Sequence, residues 1–116
     1  MAPRTSEGSG VETPEVDVDA LEDLLVTRAT LVDVREPDEY AAFRINGTHH
    51  IPLADLPDRI GEIPPDRSIY VICAKGGRSR AAVDFLLHQG LTAVNVAGGT
   101  AAWIESGRPV ETGEPT

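Results

Sequence analysis

Short strand-like runs recur along this chain at intervals filled by helix-like segments, and that alternation most constrains the fold. The runs are LVDV (31–34), HHI (49–51), IYVI (69–72) and AVNV (93–96), and Val16 can close a further short one. IYVI is β-branched, aromatic and apolar throughout, as in a central strand buried on both faces. Strands of this kind separated by helices imply a parallel sheet covered on both sides. The expected fold class is therefore α/β, with a parallel five-stranded sheet flanked by helices on both faces.

The intervening segments carry their own signals. Asp17 or Asp19 can cap a helix over VDALEDLLV, with Val18, Leu21, Leu24 and Leu25 on one face. Pro37 suits the first turn of a helix over PDEYAAF. LADLPDRIGEI holds a short helix, kinked or interrupted near Pro57. RSRAAVDFLLHQ reads as a helix with Ala82, Val83, Leu86 and Leu87 inward and Gly90 as its stop. TAAWIES is a last short helix, ended by Gly107 and Pro109. Residues 1–14 are Gly/Ser/Pro-rich and read as a disordered tail, residues 15–107 as one domain, and residues 108–116 as a C-terminal tail.

Composition narrows the partners. The formal net charge is −9 over 116 residues, which argues against nucleic acid or an anionic membrane as a partner. No apolar run approaches the roughly 20 residues of a membrane span. The opening MAPRTSEGSG lacks an apolar stretch of the secretory kind, and the chain holds a single cysteine. A disulfide framework is thus excluded, and the cytoplasm is the expected location.

That cysteine, Cys73, directly follows IYVI and opens the loop CAKGGRS before the best helix. In open α/β sheets ligands bind beyond the carboxyl ends of the strands. Only the thiolate of cysteine is strongly nucleophilic, and helix N-termini and tight loops of N–H groups stabilise anions. Gly76 and Gly77 let the backbone curl, and Lys75 and Arg78 add positive charge. These elements favour a thiolate or persulfide at Cys73. The competing reading is a small buried hydrophobe, the usual state of a free cysteine.

The loop and three further motifs resemble the single-domain rhodanese-like sulfurtransferases. LVDVREPDEY (31–40) looks like that family's first signature, and INGTHHIPL (45–53) is similar to its Gly-x-x-x-Ile-Pro segment. VAGGTAAW (96–103) resembles its Gly-Gly-x-x-x-Trp closing motif, and Cys73, Gly76, Arg78 and Ser79 supply its Cys-x-x-Gly-x-Arg-Ser loop. The likeness runs from about Asp17 to Gly107. It implies a rhodanese-like fold and a cycle in which Cys73 takes the outer sulfur of a donor such as thiosulfate. The resulting persulfide would be held by N–H groups of the loop formed by Ala74, Lys75, Gly76, Gly77, Arg78 and Ser79. A thiophilic acceptor, cyanide or a thiol, would then remove the sulfur. The resemblance implies no metal and no organic cofactor, and partners that are small-molecule or protein donors and acceptors of sulfur. Cysteine phosphatases and arsenate reductases use Cys-x₅-Arg around a tetrahedral oxyanion. Here four residues separate Cys73 from Arg78, a loop suited to a single sulfur.

Supporting residues carry two readings each. Asp33 and Arg35 border the site by resemblance, where they fix neighbouring loops or form a structural ion pair. Arg78 either stabilises the anionic donor or turns outward to pair with Glu36 or another surface acid. Lys75 recognises the donor or is merely solvated, and Ser79 caps the helix or donates to the sulfur. His49 and His50 point to opposite faces of a strand and do not read as metal ligands. Two departures from the family pattern, Arg44 before Ile45 and Thr48, fall at scaffold positions. The alternative to an enzyme is a non-catalytic rhodanese module or a partner-specific persulfide carrier. The intact loop favours the enzyme, and with one cysteine the acceptor must come from outside.

Overall fold

The computed structural model describes residues 13–65 and 67–113. Most of the expected N-terminal tail, residues 1–12, lies outside the described residues. The chain forms β1 (Glu15–Val16), α1 (Val18–Val26), β2 (Thr30–Asp33), α2 (Pro37–Ala42), β3 (His49–His50), α3 (Leu56–Arg59), β4 (Ile69–Ile72), α4 (Gly77–His88), β5 (Ala93–Val96) and α5 (Gly99–Glu105). The five strands form one sheet in the order β1-β5-β4-β2-β3. Every pairing is parallel.

Strand periodicity divides the core into two layers. Val32, Ile69 and Val71 share one face with Ala82, Val83 and Leu86 of α4 and with Leu56 of α3. Leu31, Ile72 and Val96 share the other with Val18 and Leu21 of α1 and Trp103 of α5. Because side chains alternate along a strand, Cys73 falls on the α4 face, two residues after Val71.

Local chemistry explains the boundaries. Asp17 is the cap of α1, its carboxylate accepting from Ala20 N–H at 2.9 Å. Glu36 and Glu39 form a reciprocal capping box at α2, with Pro37 in the first turn. Of the two expected forms, kinked or interrupted, the segment around Pro57 is interrupted. Pro57 stands in the first turn of α3, where a missing N–H is harmless, and flanking 3₁₀ turns over Leu53–Asp55 and Ile60–Glu62 break the segment.

Within the expected C-terminal tail, residues 108–113 are mostly exposed but are tied to the domain by hydrogen bonds and ion pairs. Glu111 and Arg44 exchange both backbone hydrogen bonds at 2.8 Å. The Arg44 guanidinium donates to Gly113 O at 2.6 Å and lies 5.2 Å from the Tyr40 ring centroid. Arg108 pairs with Asp19 and Glu22 of α1 and sits over Trp103. The two departures from the family pattern thus have local roles: Arg44 ties down the C-terminal segment, and Thr48 hydrogen-bonds the Tyr40 hydroxyl at 2.9 Å.

Candidate active site

The connections after β2 and β4 run toward opposite edges of the sheet, since β3 flanks β2 and β5 flanks β4. These adjacent strands therefore form the topological switch point, where a crevice opens beyond their carboxyl ends. Asp33 ends β2 in register with Ile72, which ends β4, and Cys73 comes next.

The Cys73 side chain lies under its own loop, and the residue is 1% exposed. Gly76 N–H donates to its Sγ at 3.1 Å and the Ser79 hydroxyl lies at 3.3 Å. Gly76, with φ +108°, makes the left-handed turn that delivers the chain into α4, a backbone state that penalises any side chain. Gly77 is already helical. Ser79 does not cap α4; the cap is Gly76, and the Ser79 hydroxyl is turned inward to the sulfur.

Two opposing effects set the thiol. Burial is the largest single influence and pushes its pKa up. Hydrogen bonds from the Ser79 hydroxyl and from the backbone at Ser79, Gly76 and Lys75 pull it down and together prevail, so the thiol ends below its ordinary value. A merely apolar pocket would have moved it the other way. Burial alone therefore does not make Cys73 an inert core residue.

The loop is latched from behind by α5. Thr100 N–H donates to Cys73 O and Ala101 N–H to Ala74 O, both at 2.9 Å. Gly99, with φ +60°, makes this approach possible, because a Cβ there would collide with both of those carbonyls.

Arg78 turns away from the sulfur and grips Glu39 of α2, with contacts of 2.6 and 2.9 Å. Its partner is Glu39, not Glu36. The pairing holds the Glu39 carboxyl down to about 2, chiefly through the Arg78 hydrogen bonds. A carboxyl lowered in the folded state stabilises the fold above its ordinary value of 4.5, and that contribution fades as pH falls toward about 2. Both side chains are about one-third exposed, so water weakens the link. Glu39→Gln is expected to lower the urea midpoint at pH 7 and to leave it nearly unchanged at pH 2. An equal loss at both pH values would reject the pairing as the source.

Asp33 and Arg35 form a buried ion pair, Nη2 to Oδ2 at 2.8 Å, with both side chains 1% exposed. Arg35 also donates to Glu39 O and Phe43 O, which straps α2 to the end of β2. Arg35 O in turn accepts from His50, whose ring stacks on Tyr40 with centroids 4.2 Å apart. The structure thus brings Cys73, Gly76 and Ser79 together, leaves Lys75 exposed, and places Asp33, Arg35 and Arg78 in the brace around them. Among the described residues, no three His, Cys, Asp or Glu side chains cluster as metal ligands.

Sequence reasoning passed over Asn95. It is 1% exposed in β5 and accepts a short hydrogen bond from the Ser79 hydroxyl. Its Nδ2 donates to Glu15 at 2.9 Å and to Gly76 O at 3.3 Å. The available signal was a polar residue in an otherwise apolar strand, AVNV.

Comparison with known proteins gives this arrangement its class. The family model described as rhodanese-like domain matches residues 17–106, and the chain belongs to that family. It is 36% identical over 99 residues to a sulfurtransferase of Allochromatium vinosum, covering 83% of this chain and 92% of that one. It is 34% identical to the thiosulfate sulfurtransferase GlpE of Stutzerimonas stutzeri, over 65% of this chain and 70% of the relative. The crystal structure of a rhodanese-related protein from Thermoplasma volcanium superposes with a TM-score of 0.79 at 38% identity, covering 84% of this chain and 97% of the other.

Proposed function

We propose that this protein is a sulfurtransferase that carries a sulfane sulfur on Cys73. In the first half-reaction the Cys73 thiolate attacks the outer sulfur of a donor such as thiosulfate. The new S–S bond forms as the donor's S–S bond breaks, and sulfite leaves with the bonding pair. In the second, an acceptor such as cyanide takes the outer sulfur, leaving as thiocyanate, and the Cys73 thiolate returns. Atoms and charge balance without a metal or an organic cofactor, and each product departs before the next substrate binds.

The observation that carries this reading is the set of donors converging on one sulfur. Gly76 N–H donates to Sγ and Ser79 Oγ lies within hydrogen-bond reach of it, in a loop with only four residues between Cys73 and Arg78. With Cys73 1% exposed, a donor must place a single atom inside the loop, which suits sulfane sulfur better than a phosphate. The remaining N–H groups of residues 74–79 would hold the outer persulfide sulfur, and exposed Lys75 would meet an anionic donor. Asp33, Arg35 and Arg78 would act by fixing the surrounding loops. No helix among the described residues is long and apolar enough to cross a membrane. A lone reactive thiol suits a reducing compartment, and we place the activity in the cytoplasm.

Intact-protein mass after incubation with thiosulfate tests the reading. The wild type is expected to gain one sulfur atom and lose it on adding cyanide, and Cys73→Ser is expected to gain none. A folded wild type without the adduct would overturn the thiosulfate enzyme. A gain only from a protein persulfide would instead favour the partner-specific carrier.

A further inference from the structure

Resting on the sulfur-carrying role of Cys73, we infer that Asn95 is a positioning residue that controls where the single Ser79 proton points. Ser79 Oγ lies within hydrogen-bond reach of both Cys73 Sγ and Asn95 Oδ1. A serine hydroxyl has one proton and can serve only one of them at a time.

The orientation of the Asn95 amide follows from its other neighbours. Glu15 Oε2 and Gly76 O are both acceptors, so the NH₂ end of Asn95 must face them. Glu15 is itself fixed by Arg80 at 2.9 Å. The carbonyl end of Asn95 is left toward Ser79, and it can only accept. Asn95 is thus a standing competitor with the sulfur for the Ser79 proton.

The competition changes with the charge on Cys73. A neutral thiol has its own proton to give to Ser79 Oγ, which leaves the serine proton on Asn95. A thiolate is acceptor-only and draws that proton to itself, with the added strength of a charged acceptor. When the thiolate becomes the inner sulfur of a persulfide, the negative charge moves to the outer sulfur and the Ser79 proton returns to Asn95. When the acceptor removes the outer sulfur, Cys73 departs as a thiolate and Ser79 turns back to stabilise it. No group other than this hydroxyl need move, and no proton crosses between residues.

The charges around the loop are Lys75 and the Arg78–Glu39 pair, with Glu36 near Arg78, and the Glu15–Arg80 pair behind Asn95. Replacing Asn95 leaves all of these in place. Gly76 O keeps the Arg80 N–H, and Glu15 keeps the Arg80 guanidinium. The substitution therefore orphans neither acceptor.

The test is the pH profile of Cys73 alkylation by iodoacetamide, a probe that needs no sulfur donor. Ser79→Ala is expected to raise the thiol pKa and slow alkylation below it. Asn95→Ala removes the competing acceptor, so the thiol pKa is expected to fall. Alkylation below the pKa should then rise about threefold to tenfold, the equivalent of half to one pKa unit. In the Ser79→Ala background the same Asn95 substitution is expected to change nothing. Asn95→Leu, which keeps the γ-branched side-chain shape, replaces Asn95→Ala if melting shows the alanine variant unfolded. No shift, an upward shift, or a shift of equal size without Ser79 overturns the inference. Because persulfide formation is read separately by mass, failure of one reading is distinguishable from failure of the other.

Discussion

Asp33→Ala is expected to lower the unfolding free energy by about 3–5 kcal/mol. That is a large share of the roughly 5–15 kcal/mol that holds a domain of this size. Asp33 is fully buried and accepts both the Arg35 guanidinium and the Arg35 backbone N–H. Without it, a guanidinium 1% exposed keeps only the carbonyls of Glu39 and Phe43 as acceptors. A lone buried cation is far more costly than a missing pair. Arg35→Met made together with Asp33→Leu is therefore expected to lose less than Asp33→Ala alone. Urea unfolding of the wild type and these two variants measures this. A loss below about 1 kcal/mol for Asp33→Ala would show that water reaches the pair.

The strap explains why this pair matters to a thiol it does not touch. Arg35 fixes α2, α2 carries Glu39, and Glu39 holds Arg78 on the Cys73 loop. Each link was visible in the sequence only as a charged residue beside a motif. Which acid met which base depended on where α2 packs, and Glu36 and Glu39 are one helical turn apart. The identity of the partner is a through-space fact, and local spacing favoured neither.

What the sequence did expose was whatever repeats or punctuates locally. IYVI and AVNV coincide with β4 and β5, and VDALEDLLV with α1, because apolar period and capping residues are read within a few positions. The ties of residues 108–113 were not legible because RPVETGEPT has tail-like composition, while the partners of Arg108 and Glu111 are α1 and Arg44, far away in the chain. Asn95 was missed for the same reason. Its partners, Glu15, Gly76 and Ser79, come from three separate elements that only the sheet order β1-β5-β4 brings together.

A pair of glycine substitutions separates the two glycine motifs that frame the site. Gly77→Ala is expected to be neutral or stabilising by up to about 1 kcal/mol, because the position is helical and its missing Cβ faces open space. Gly99→Ala is expected to lose about 3 kcal/mol or more. The left-handed backbone accounts for about 1 kcal/mol of this. The rest comes from the hydrogen bonds of Thr100 N–H and Ala101 N–H, worth about 1 kcal/mol each, which break as α5 is forced off the carbonyls of Cys73 and Ala74. The damage should reach the thiol as well. The loop is a short span between β4 and α4, so releasing its carbonyls lets the Gly76 N–H swing off Sγ, and burial then dominates the thiol pKa. Gly99→Ala is thus expected to melt at a lower temperature than Gly77→Ala and to alkylate more slowly below neutral pH. If the two variants melted alike, the closing motif could not be what holds the cysteine loop in its cupped form. If Gly99→Ala lost stability but kept the wild-type alkylation profile, the loop would set the thiol from its own backbone, without help from α5.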